Sequence, residues 1–159
     1  MVDSALVGGI EAARVLDAFA GSGAMGMEML SRGACFAAFF DIDRQAAGLV
    51  RKNLESMGCA GARYRVTSGD VLAMSTRGRL FGAPFNLVIL DPPYDFDPAD
   101  VSAFVERLAA SGSLADDALV LYEHASAKPG LDPLGFIEER DKRYGSTSVQ
   151  LLRRSTEVE

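Results

Sequence analysis

The chain has 159 residues, enough for one domain with a sizeable core; 48% are apolar, 8% aromatic and none is tryptophan. No apolar run reaches the roughly 20 residues of a membrane span. The start Met1-Val2-Asp3-Ser4 lacks a signal peptide's basic and apolar regions, and Cys35 and Cys59 suit neither a disulfide framework nor a metal site. A net charge of −6 and a pI near 4.8 withhold the basic footprint on which nucleic-acid affinity usually rests, leaving a cytoplasmic, membrane-free, metal-free protein with free thiols as the expectation.

Residues Asp3 to Glu11 read as a short helix or its remnant, capped by Asp3 or Ser4 and cut early by Gly8-Gly9. Ala13 to Asp17 is a first strand, running into Ala18-Phe19-Ala20-Gly21-Ser22-Gly23-Ala24-Met25-Gly26. Ala24 to Leu30 is rich in helix formers, and Gly33 closes that helix. Cys35 to Phe40 is a second strand before Asp41-Ile42-Asp43. Arg44 to Met57 is an amphipathic helix with Ala47, Val50, Leu54 and Met57 on one stripe. A third strand fits Ala62 to Thr67, followed by Ser68-Gly69-Asp70-Val71-Leu72 and, after a loop, a fourth over Phe85 to Leu90. Asp91-Pro92-Pro93-Tyr94 leaves that strand as a stiff corner, since each proline fixes its own φ and biases the residue before it.

Asp97-Pro98 caps and starts a helix that runs to about Ala110. Ala118 to Glu123 is a fifth strand. Phe136 to Lys142 and Ser146 to Arg153, joined across Tyr144-Gly145, form an antiparallel hairpin, and the tail from Ser155 is frayed. The local basic concentrations, Arg63 with Arg65 and Arg140 with Lys142 and Arg143, read as solvated faces.

Strands alternating with helices predict an α/β fold: a doubly wound, mostly parallel sheet with an antiparallel C-terminal hairpin. Ligands of such sheets bind beyond the carboxyl ends of the strands. Asp17, Asp41, Asp70 and Asp91 stand at or just past four successive strand ends. Glu123 and His124 stand at the fifth, where a lone histidine is more often structural; neither is assigned a role.

Gly21-x-Gly23-x-x-Gly26 matches a dinucleotide fingerprint, with Asp41 about 20 residues on as an acid for a ribose hydroxyl. Asp17, however, would face a pyrophosphate unfavourably and a cation favourably. S-adenosylmethionine, which carries a sulfonium and an amino group and no phosphate, suits the site better. The Asp-Pro-Pro-Tyr corner supplies a carboxylate, carbonyls without accompanying donors and an aromatic face, which suit a planar group bearing an amine.

Asp17 to Gly23, followed by Asp91-Pro92-Pro93-Tyr94, resembles a class I S-adenosylmethionine-dependent methyltransferase acting on an exocyclic amine. Leu16 to Ala34 and the late Tyr144-Gly145-Ser146-Thr147 are similar to the bacterial 16S ribosomal RNA guanine-N2 methyltransferases of the small subunit. The resemblance runs from about Gly9 and implies a seven-stranded Rossmann-like sheet, one domain over residues 1–154 with a tail at 155–159, and a monomer acting on 16S rRNA or the assembling small subunit. Members of that family begin with a basic β-containing arm that has no counterpart here. The expectation is therefore a chain shortened at its N-terminus or read from a misplaced start, with activity impaired for want of the arm.

The resemblance implies that Asp91 and the Pro92 carbonyl accept from the target amine, with Pro93 stiffening the corner and Tyr94 stacking on a flipped-out or single-stranded base. It places Asp17 and the turn Phe19, Ala20, Gly21, Ser22 and Gly23 around the methionine part of the cofactor. Asp41 would bond the ribose hydroxyls, Ile42 pack on the adenine, and Asp70 accept from the adenine amine beside the Val71 N–H. Each residue also has a plainer reading: Asp17 as a turn cap, Asp70 as a helix cap, Ile42 as core. Asp43 is kept out of the site as the cap of the Arg44 helix. The amine grip cannot itself tell guanine from adenine, so an N6-adenine methyltransferase of DNA or RNA, a modifier of a protein amide, and a cofactor-binding module without independent activity stay open.

Overall fold

The computed structural model describes residues 2–93 and 95–155. Seven strands form one sheet: β1 (Arg14–Asp17), β2 (Phe36–Asp41), β3 (Tyr64–Ser68), β4 (Phe85–Leu90), β5 (Leu114–Ala125), β6 (Phe136–Tyr144) and β7 (Thr147–Arg154). Their spatial order is β3-β2-β1-β4-β5-β7-β6. The first five are mutually parallel, while β7 runs antiparallel to both β5 and β6. The order reverses at β1, so the crevice over the carboxyl ends of β1 and β4 is the topological switch point of the sheet.

Both faces of the sheet are covered, as near-continuous burial along β2 and β4 requires. One face packs beneath α4 (Val71–Ser75) and α5 (Pro98–Ala110), joining Leu16, Phe40, Val88 and Leu90 to Val101, Phe104 and Leu108. The other packs beneath α2 (Ala24–Ser31) and α3 (Arg44–Ser56), joining Val15, Phe39, Leu87 and Ile89 to Met29, Val50 and Leu54. Strand alternation sends successive side chains to opposite cores.

The helix starts follow their local chemistry. The Asp43 side chain accepts from Gln45 N at 2.9 Å and that of Asp97 from Ala99 N at 2.9 Å. Arg63 is not simply a solvated charge: its guanidinium donates to the carbonyls of Leu30 (2.8 Å) and Ala34 (2.7 Å), holding the end of α2.

Some boundaries differ from expectation. The segment over Asp3–Glu11 splits into α1 (Val2–Ala5) and a 3-10 turn (Ile10–Ala12), because Gly8 and Gly9 both take positive φ between them. Met57 leaves the apolar stripe and is 48% exposed, since it lies past the last helical residue. Strand β5 begins at Leu114 rather than Ala118, where its extra length pairs Leu114 with Phe85 across a register shift. Ser155 is tied to the sheet, its N–H donating to Gly135 O at 2.7 Å; the remainder of the expected tail, residues 156–159, lies outside the described residues.

The third glycine of the motif explains how α2 can sit so low. A Cβ at Gly26 would overlap the ring of Phe39 and come within 3.1 Å of Asp17 Oδ2. Phe39 is fully buried and cannot move aside. Gly26→Ala should therefore destabilise the protein by about 1–3 kcal/mol through overpacking, read as a lower urea midpoint at unchanged m-value.

Candidate active site

A cavity of about 560 Å³ lies over the switch point, with Phe19, Gly21, Asp41, Ile42, Asp70 and Val71 on one side and Asp91, Pro92 and Pro93 on the other. Five strand-end segments separated by as many as 105 positions in sequence, from Ala18 to Glu123, are thereby brought to one edge. An adjoining recess of about 230 Å³ shares Asp91, Pro92, Pro93, Phe96 and Glu123 with it and is closed by Tyr122, His124 and Thr147.

Asp41 organises the rim. Its Oδ2 accepts from Gly21 N at 2.8 Å, its Oδ1 from Asp43 N at 2.9 Å and its backbone carbonyl from Gly69 N at 2.9 Å. A carboxylate offers about four acceptor positions, so two remain for a ligand. Next to it Ile42 is 74% exposed at the cavity wall, which removes the reading of this side chain as core. Asp70 does cap a helix, since its Oδ1 accepts from Leu72 N at 3.0 Å, and it lines the cavity as well.

The glycine turn contributes less surface than its length suggests. Phe19 and Gly21 line the cavity, whereas Ala20, Ser22 and Gly23 do not. Ala20 N instead donates to Phe40 O at 2.9 Å, and Gly23 (φ +79°) is the left-handed residue that turns the chain into α2. The Phe19 ring stands edge-on to Phe96 at 5.6 Å between centroids and to buried Phe104 at 6.4 Å, so the cavity's aromatic wall is anchored on α5.

Asp17 does not line the cavity. It is 3% exposed and its Oδ2 accepts from Gly26 N at 3.1 Å, capping α2 from the end of β1. Burial raises its pKa from the ordinary 3.8 to about 7; the Gly26 N–H opposes this, and the charges of Asp91 and Asp41 reinforce it. Asp17 reaches the cavity through its field rather than its surface.

At the Pro-Pro corner the Pro93 carbonyl accepts from Phe96 N at 3.1 Å, and among the described residues none donates to the Pro92 carbonyl. Burial raises the pKa of Asp91, and burial together with the Asp91 charge raises that of Glu123. Tyr94, expected to stack on the target, lies outside the described residues. His124 is structural in its contacts: it stacks on Tyr122 at 5.3 Å and bonds Ala125 O and Asp141.

Ala18, Gly69, Leu72, Phe96 and Glu123 complete the lining without having been assigned a role. Glu123 carried the one available signal, an acid at a fifth strand end. Phe96 carried none, because only the packing of α5 turns it inward.

The raised pKa of Asp17 has a consequence for the free protein. Between pH 3.8 and about 7 the folded state holds a proton that the unfolded chain has lost, so stability falls as pH rises through this window. Asp17→Asn, neutral at every pH and still able to accept from Gly26, should match wild type at the acid end and exceed it above pH 7. Chemical denaturation at both pH values checks this.

The family model described as conserved hypothetical protein 95 matches residues 2–153. Ribosomal RNA small subunit methyltransferase D of Escherichia coli K12 is 34% identical over 149 residues, covering 92% of this chain and 71% of the relative. The enzyme of the same name from Haemophilus influenzae is 31% identical over 145 residues, covering 91% and 73%. Among solved structures, a candidate methylase from Haemophilus influenzae superimposes with a TM-score of 0.81 at 29% identity, covering 92% of this chain and 89% of that one. The magnesium protoporphyrin IX methyltransferase of Synechocystis, at 19% identity and a TM-score of 0.68, shares the fold alone, over 93% of this chain and 73% of that one. The chain belongs to the conserved hypothetical protein 95 family, has the Rossmann-like fold of class I methyltransferases, and is a homologue of the ribosomal RNA small subunit methyltransferases D.

Proposed function

We propose that this protein transfers a methyl group from S-adenosylmethionine to an exocyclic amine, the N2 of a guanine in the 16S rRNA of the small ribosomal subunit. The observation that carries the reading is the single cavity edge at which the Asp91-Pro92-Pro93 corner faces Asp41, Ile42 and Asp70. Homology to enzymes named for ribosomal RNA of the small subunit supports the class of substrate.

The residues present fit the cofactor. Asp41 keeps two acceptor positions for ribose hydroxyls, Ile42 offers an exposed apolar plate to the adenine, and the second oxygen of Asp70, with the Val71 N–H, suits the adenine's polar edge. Asp17, whose pKa burial raises to about 7, would be held as the carboxylate by a cationic group of the cofactor. The bound cofactor supplies an electrophilic sulfonium methyl.

The chain's own residues do the rest. Asp91 and the Pro92 carbonyl accept the two N–H bonds of the amine, drawing its lone pair out of the ring and aiming it across the cavity; the charged acceptor makes the stronger bond. Nothing needs to remove a proton before attack, because the methylated nitrogen is acidic and Asp91 can take its proton afterwards. Phe19 and Phe96 give the cavity an apolar wall, and rate enhancement comes from positioning and preorganised charge.

Asp91→Ala should lower kcat on unmethylated small-subunit particles by on the order of 10²-fold or more, while calorimetry shows an unchanged cofactor Kd. Near-normal turnover would remove Asp91 from the chemistry. Because a cation binds the Asp17 carboxylate rather than its acid form, cofactor affinity should weaken as pH falls through about 7. Asp17→Asn should bind more weakly at high pH and flatten that dependence, which calorimetry across pH 6–8.5 will show.

A further inference from the structure

The amine grip alone accepts guanine or adenine, so a discriminating group has to come from elsewhere on the same edge. In the parallel pairing of β4 with β5, Leu90 stands opposite Tyr122. One residue further along each chain are Asp91 and Glu123, and both line the main cavity and the adjoining recess. Strand alternation gives them the same side of the sheet: Leu87 and Ile89 precede Asp91, and Leu119 and Leu121 precede Glu123, all in one core cluster. Two carboxylates thus stand side by side, close enough that the Asp91 charge contributes to the raised pKa of Glu123.

Two adjacent acceptors demand two adjacent donors. On the pairing edge of guanine the C2 amine sits beside the ring N1–H, donor next to donor. Adenine sets its amine beside the N1 lone pair, cytosine sets its amine beside the N3 lone pair, and a carboxamide sets its amine beside a carbonyl oxygen. In each of these a second carboxylate would face an acceptor, and a site built to hydrogen-bond one pattern rejects the other because buried polar groups go unpaired.

We propose that Glu123 is the specificity-determining residue of this site, its carboxylate accepting the ring N1–H of guanine while Asp91 accepts from the adjoining amine. The assignment rests on the amine-methylation reading above and sharpens it: the second acid, rather than the Pro-Pro corner, decides the base. Glu123 needs no movement of the sheet to do so, because its position is set by the β5–β7 ladder on one side and β4 on the other.

The test uses the whole chain with labelled S-adenosylmethionine and small-subunit particles reconstituted from 16S rRNA carrying guanine, 2-aminopurine or adenine at the acceptor nucleotide. 2-Aminopurine keeps the C2 amine and lacks the N1–H. Wild type should prefer guanine over 2-aminopurine by about 10- to 100-fold in kcat/KM, the range for a hydrogen bond to a charged group. Glu123→Gln, whose amide can donate to an unprotonated N1, should shrink that ratio to within a few-fold at unchanged cofactor Kd. Comparing two substrates in one protein cancels any loss of folded fraction, and Glu123→Asp should recover part of the discrimination. If Glu123→Gln keeps the wild-type ratio while wild type methylates guanine N2, the Glu123 assignment fails and the amine-methylation reading stands. If wild type methylates only adenine, or nothing, while binding cofactor, the guanine reading fails and the Glu123 assignment falls with it.

Discussion

Three loops meet at one residue. The carboxylate of Asp41 holds the backbone of Gly21 and of Asp43, and its carbonyl holds Gly69, so the turns after β1, β2 and β3 are tied to the same strand end. Parallel strands leave their last backbone groups pointing into the crevice, and buried or half-buried ones must find partners. Asp41 meets that demand for three loops at once and still has acceptor capacity facing the cavity. The rim is therefore held in shape before any ligand arrives, which lowers the ordering cost of binding.

The opposite constraint operates one strand inward. Asp17 is buried with a single backbone donor, and its neighbours across the sheet edge are acids rather than bases. A charge so placed costs stability unless something cationic completes it. The structure tolerates this because Gly26 lets α2 approach closely enough to donate its N–H, and because Phe39 fills the space beneath. Strain of this kind, in which stability is given up where a ligand's charge belongs, is the electrostatic counterpart of a preformed pocket.

At the fourth and fifth strands the same edge turns from cofactor to target. The prolines fix the direction in which Asp91 leaves β4, and β5 continues past it under the antiparallel β7, carrying Glu123 alongside. The hairpin thus does more than close the sheet. By pairing β5 along seven registered positions, from Leu119 to Ala125, it holds the second carboxylate where the first ends.

The elements, their order and the acids at the strand ends were legible in the sequence because they rest on local rules. Apolar runs of strand length, Asp-Pro at a helix start, glycines after helices and the Pro-Pro corner act within a few residues of themselves. What tertiary structure alone decided was the division of labour among chemically identical residues. Asp43 and Asp70 each cap a helix through the residue two further on, yet of the two only Asp70 lines the cavity. Asp17 and Asp91 both end buried strands, but the approach of α2 at Gly26 covers the first and leaves the second open. Phe96 enters the site with no local signature, through its packing on Phe19, and Glu123, legible only as an acid at a strand end, enters through the pairing of β5 beside β4. Spacing along a chain specifies which groups stand at strand ends; only long-range pairing specifies which of them share a face, a cavity and a charge.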